Sequence, residues 1–215
     1  MSFTLSTLKT AIQDYLESSE TTFVNNLDNI IKESEERIFK LVQLPDQRKN
    51  VQGTAETNNR FLSTPSDYNA AFSLAVIDGT TYHYLELKHP SFIKQFVTNT
   101  STNGRPRYYS QFDENTFELG PKPDSNYTVE LHYLAKPTSL TAGSDSGTTY
   151  LSTEYSDALL YGCLAEGAIF LKETPDVVAN FENRFKEAIM RAKNLSEGRL
   201  QRDEYRYDSL RIDVS

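Results

Sequence analysis

The chain has 215 residues, 38% of them hydrophobic and 24% charged; that is enough apolar material for a real core and excludes wholesale disorder. No apolar run approaches the roughly 18–20 residues of a membrane-spanning helix, no secretory signal is expected in MSFTLSTLKTAIQDYLESSE, and the single Cys163 excludes an internal disulfide and a cysteine zinc site. The net charge of −8 argues against the chain as a whole being a duplex-DNA binder.

The first stretch, residues 1–44, is expected to be helical. Leu5, Leu8, Ile12, Tyr15 and Leu16 recur at helical spacing, a Ser/Thr-rich break follows at 18–22, and Phe23, Leu27, Ile30, Ile31, Ile38 and Val42 form a second stripe. Pro45 ends it. Residues 45–137 are rich in Thr, Tyr, Asn, Pro and Gly and read as strands. AAFSLAVI (70–77), Asp78-Gly79 and TTYHYLEL (80–87) predict a hairpin, because Asp-Gly suits the positive φ of a tight turn. A short helix is expected from Pro90 to about Val97, and three further strands at 105–112, 115–120 and 125–136.

Residues 138–152 begin with TSLTAGSDSGTTY and are expected to be a linker or mobile loop. Residues 153–197 read as helical again, first as an apolar helix rich in small residues. Thr174-Pro175-Asp176 opens the next helix by capping, fixed φ and charge–dipole complementarity. Gly198 is expected to end it. The tail, 198–215, carries four Arg and four acids among unperiodic apolar groups. It reads as a poorly ordered end or a segment that orders on a partner. The expected fold class is therefore α+β: a helical bundle of the N- and C-terminal helices, an inserted antiparallel β-domain, and an extended C-terminal arm.

Reactive chemistry is sparse. His83, His89 and His132 lie outside any metal-ligand spacing, and Cys163 sits on an apolar helix as an expected inert thiol. No GxSxG, GxGxxG or phosphate-loop motif occurs. Asp113-Glu114-Asn115 reads as a turn before it reads as a calcium site. Arg105, Arg107, Tyr108 and Tyr109 read as edge-strand packing before a nucleic-acid platform. No catalytic residue, metal or cofactor is assigned, and no enzyme activity is expected.

Five local patterns, in order, resemble the head-to-tail adaptor proteins of tailed bacteriophages: RIFKLVQLP closing the helix pair, LSTPSDY (62–68), KHPSFIKQF (88–96), GRPRYYSQFDENTFELGPKPDSNYTVELHYLAKP (104–137), and a small-residue helix near YSDALLY (155–161). The resemblance covers about Leu5 to Leu195. It implies a structural virion protein at the head-to-tail interface, made in the host cytoplasm, whose copies form a ring, usually of twelve, below the portal. It implies partners in the portal protein and in tail or nozzle proteins, with DNA passing through the channel without sequence-specific binding. It implies that the C-terminal arm docks on the portal; Leu200, Arg202, Tyr205, Arg206, Tyr207, Leu210, Arg211 and Ile212 are the docking candidates, and Tyr205, Arg206 and Tyr207 have the composition of interface anchors. An acidic subunit suits passage of DNA, because phosphate gains no counterion release from it. Two other readings compete: a neck or tail-completion protein that contacts the tail, and a ligand-binding module using Tyr82, Tyr84, Tyr108, Tyr109, Tyr127 and Tyr133.

Overall fold

The computed structural model describes residues 2–99 and 101–209; for 196–209 it describes the backbone alone. The chain forms two compact units, one from residues up to Pro45 together with those from Thr138 onward, the other from Asp46–Pro137.

In the first unit, α1 (Leu5–Tyr15) starts at Thr4, whose Oγ1 accepts from the Thr7 amide at 3.2 Å while Thr7 Oγ1 accepts from the Thr4 amide at 2.9 Å. This reciprocal cap meets two backbone donors that the first turn leaves free. α2 (Thr21–Leu41) buries Phe23, Leu27, Ile30, Ile31 and Ile38, a stripe at three- and four-residue spacing. α4 (Tyr150–Glu154) is a single turn that breaks at Tyr155 into α5 (Ser156–Phe170). α5 is apolar nearly all round, as a central helix must be, and it packs on α1, α2 and α6 (Pro175–Ser209). Gly162 makes that packing possible: a Cβ there would run into Ser34 Oγ of α2 and sit 3.1 Å from the Phe185 ring of α6.

Chain 138–149 is pinned to this unit. Leu140, in a short 3-10 helix (Leu140–Ala142), is buried, and the carbonyls of Gly147 and Asp145 accept from the amides of Leu5 and Ser6. Glu35 of α2, 1% exposed, holds the returning chain: its carboxylate accepts from the Ser139 hydroxyl and from the Leu140 amide at 2.9 Å. Burial pushes the Glu35 carboxyl above the usual glutamate range; the bonds from Ser139 and Leu140 and the charge of Lys32 oppose the shift. A carboxyl with a raised native pKa contributes most stability when protonated, and that contribution is lost as pH rises through the native pKa. Glu35→Gln should therefore flatten the pH dependence of this unit's melting temperature above the ordinary glutamate pKa. An unchanged slope in thermal melts of the variant would remove Glu35 as its source.

The second unit contains β1 (Arg48–Ala55), β2 (Phe61–Ser63), β3 (Tyr68–Asp78), β4 (Thr81–Leu87), α3 (Pro90–Phe96), β5 (Tyr108–Asp113), β6 (Thr116–Gly120) and β7 (Tyr127–Ala135). The strands make one sheet in the order β1-β7-β3-β4-β5-β6-β2. The edges β1 and β2 approach each other, so the sheet is nearly closed and barrel-like. Gly79, at φ +60°, turns β3 into β4, where an L side chain would be strained. The inward face buries Leu74, Val76, Leu85, Val129 and Leu131, with Phe117 edge-on to Tyr68 and Tyr109 at 5.3 Å from each.

The expected fold class is corrected by this architecture. The protein is a mixed α/β fold with a seven-stranded, nearly closed sheet and, among the described residues, six α-helices, not a helical bundle carrying a small inserted β-domain. The sheet is not purely antiparallel: β4 and β5 run parallel through Glu86↔Tyr108 and Leu87↔Tyr109. A parallel pair needs a long crossover, and residues 88–107, with α3 inside them, supply it. The C-terminal segment is not an extended arm either, since α6 continues through Gly198 to Ser209. Glycine there lowers helix propensity by about 1 kcal/mol, but Leu200, Gln201, Arg202, Glu204 and Arg206 are good helix formers and carry the helix on.

Candidate functional site

Of the docking residues expected in the tail, Leu200, Arg202, Tyr205, Arg206 and Tyr207 fall on the backbone of α6; Leu210, Arg211 and Ile212 lie outside the described residues. In helical register, positions 202, 205 and 206 fall within one turn of each other. Past Ala192, which is buried against the core, α6 continues to Ser209, a further 17 residues and about 25 Å of helix.

The root of α6 is fixed by a charged clasp. Arg37 of α2 donates from both terminal nitrogens to Glu182 of α6, at 2.7 Å each, and from Nη1 to Glu166 of α5 at 3.1 Å. Its guanidinium also lies 4.5 Å over the centre of the Phe185 ring. The planar fork matches one carboxylate and stacks on the ring together, which lysine could not do. The bond from Arg37 holds the Glu182 carboxyl below the usual glutamate range.

The residues weighed for chemistry have ordinary structural work. His83 Nε2 accepts from Arg105 Nη1 at 3.0 Å, since a guanidinium only donates. His89 caps α3 by accepting from the Ser91 amide at 3.2 Å, and His132 lies 3.0 Å from Glu130. Cys163 is fully buried, which pushes its thiol up to about 12. Asp113 accepts from the Asn115 amide at 2.9 Å and closes the β5–β6 turn, and Glu114 pairs with Lys136 at 3.0 Å. Among the described residues, no three His, Cys, Asp or Glu side chains are grouped to hold a metal ion. Arg105 and the aromatic pair Tyr108–Tyr109 do not form one platform. Tyr109 is core, while Tyr108 meets the rings of Phe92 and Phe96 edge-on, at 5.1 and 4.9 Å.

The six tyrosines of the β-region likewise divide. Tyr109 and Tyr133 are buried, whereas Tyr82 and Tyr84 stand on the outer face of β4 at 48% and 68% exposure. Sequence reasoning missed the exposed phenylalanines. Phe61 and Phe112 pair at 5.1 Å on the surface, and Phe72 stands at an irregularity between Ala71 and Ser73 under the Arg48 guanidinium. Exposed aromatic clusters of this kind are the usual anchors of protein contacts.

A long helix clasped at its root and strand faces bearing exposed aromatic pairs suit a protein that assembles with others. A family model described as SU10 adaptor protein matches residues 3–212. The chain belongs to that family of phage head-to-tail adaptors and is a phage structural adaptor, whose work is to interact with other phage proteins. No curated protein matches it.

Proposed function

We propose that copies of this adaptor form a ring between the portal and the tail at the head-to-tail junction of the virion, and that DNA passes through the ring. The C-terminal end of the chain, from the last turns of α6 onward, docks on the portal through Leu200, Arg202, Tyr205, Arg206, Tyr207, Leu210, Arg211 and Ile212. The observation that carries this reading is the extent of the family match, which runs through the tail as far as residue 212. The chain's charge supports it: a ring of twelve would carry −96 formally, from −8 per copy, and phosphate would gain nothing by lingering. The role is structural, with no catalysis.

The test is mass photometry of the protein alone and mixed with its cognate portal. The expected result is a species heavier than the portal by about twelve subunits. The triple substitution Tyr205→Ala, Arg206→Ala, Tyr207→Ala should abolish that species, because aromatic and arginine anchors carry most of the energy of an interface. Association with tail protein instead of portal would replace this reading by that of a neck or tail-completion protein.

A further inference from the structure

His83 and Arg105 meet near the end of the sheet where β3 turns into β4. His83 shares the inward face of β4 with the buried Leu85, and it stands opposite Val76 of β3. Arg105 belongs to the crossover between α3 and β5. Its Nη1 donates to His83 Nε2 at 3.0 Å. A guanidinium offers no acceptor, so Nε2 carries no proton in this contact; the ring is neutral, with its proton on Nδ1.

Arg105 has a second partner within reach. Asp78, the last residue of β3, places Oδ2 3.8 Å from the same Nη1, too far for a hydrogen bond. The Nε–H of Arg105 is buried and meets no acceptor. The guanidinium thus donates to a neutral ring while a carboxylate able to take two of its N–H groups stands close by. The main chain on both sides is pinned, since the amides of Gly104 and Arg107 donate to the carbonyls of Lys122 and Gly120 at 2.8 and 3.0 Å. The side chain can therefore change partner while the crossover stays on the sheet.

The neighbouring elements bring other titratable groups. On β4 itself, Tyr82, Tyr84 and Glu86 alternate with His83 onto the opposite face, and Glu86 pairs with Lys88 at 2.8 Å. At the start of β7, Tyr127 donates to Asp124 at 2.7 Å. On β5, Tyr109 is buried in the core, and Arg107 ahead of it is exposed. Of these groups and Asp78, only Asp78 comes within ion-pair distance of Arg105.

We propose that His83 and Arg105 form a pH-sensitive switch. While the ring is neutral, it holds the Arg105 guanidinium against β4. A proton on Nε2 removes the acceptor and sets two cations side by side, and Arg105 then pairs with Asp78. Acid thereby ties the crossover to the β3–β4 turn in place of the inward face of β4.

The test is NMR of the full chain from about pH 8 to about pH 5, following the ring nitrogens of His83, the Nε–H of Arg105 and the amides of Asp78 and Gly79. At the upper end, His83 Nε2 is expected at the shift of an unprotonated ring nitrogen. As the pH falls, the Arg105 Nε–H and the two amides are expected to shift together with the ring. In His83→Gln, whose side-chain carbonyl accepts at every pH, the Arg105 response should be lost. A proton on Nε2 at the upper end would overturn the proposal, a reading that needs no variant. So would a ring that stays neutral throughout, or an Arg105 Nε–H or Asp78 and Gly79 amides that stay in place while the ring titrates. An Arg105 response of the same size in His83→Gln would overturn it as well.

Discussion

Phe185→Ala should remove about 3–5 kcal/mol from the stability of the helical unit, the largest loss expected for any single truncation discussed. Phe185 is 1% exposed and belongs to the cluster that joins α1, α2, α5 and α6. Its ring packs into the space that Gly162 leaves on α5, and the Arg37 guanidinium lies 4.5 Å over its centre. Removing the ring loses its transfer free energy and leaves a void that backbones already this close cannot collapse into. Domains of this size hold only about 5–15 kcal/mol in reserve, so the melting temperature should fall by about 10 °C or more in a circular-dichroism melt. A shift within about 2 °C would mean that the cavity refills and that the ring is not a keystone of the packing.

Arg37→Met comes second. Methionine keeps much of the apolar stem over Phe185 but leaves Glu166 and Glu182 facing each other without their cation. Breaking a fully buried pair costs about 3–5 kcal/mol, and the one-third exposure of Arg37 discounts that to about 2–3 kcal/mol at neutral pH. The pH dependence separates charge from packing. Because Arg37 depresses the native pKa of Glu182, the clasp stabilises the fold above the ordinary glutamate pKa, and the contribution is lost as pH falls through the native value. The gap in melting temperature between parent and variant should therefore be wide near pH 7 and narrow in acid. A gap that stays constant with pH would assign the whole effect to packing on Phe185. This slope has the opposite sign to that of Glu35, so the two titrations can be told apart in the same melts.

Local patterns with a local cause were legible in the sequence. The stripe from Phe23 to Ile38, the turn at Gly79 and the helix start at Thr174-Pro175 stand where their chemistry puts them. β1 was not legible: RKNVQGTA has seven exposed positions out of eight and no alternation, and it is a strand because it pairs along its whole length with β7. The parallel β4–β5 contact was hidden for a related reason, because it depends on a crossover and not on any residue in either strand. Gly198 misled because a glycine stops a helix only where the chain turns left-handed, and its neighbours favour continuing. The ion pair between Arg60 and the buried Glu118 was the least legible feature. The two residues stand 58 positions apart, and nothing in TFELG marks Glu118 as buried. The adaptor assignment was legible only through the ordered patterns from Leu5 to Leu195, since no reactive motif singles out a function.

The helical unit is made of two stretches of chain, with the whole of Asp46–Pro137 between them. Phe23, Leu27 and Ile31 are synthesised early, yet their cover, Leu159, Leu164 and Phe185, is added well over a hundred residues later. At about 5–20 residues per second the ribosome leaves those stripes open for roughly 6–30 s, most of it spent making the sheet unit, which is complete before the cover emerges. Closure entropy grows only slowly with loop length, so the delay costs little in final stability. Its cost is exposure: for those seconds the nascent adaptor presents a bare apolar helix to chaperones and to other copies of itself, and Glu35 closing on Leu140 is among the first contacts able to end it.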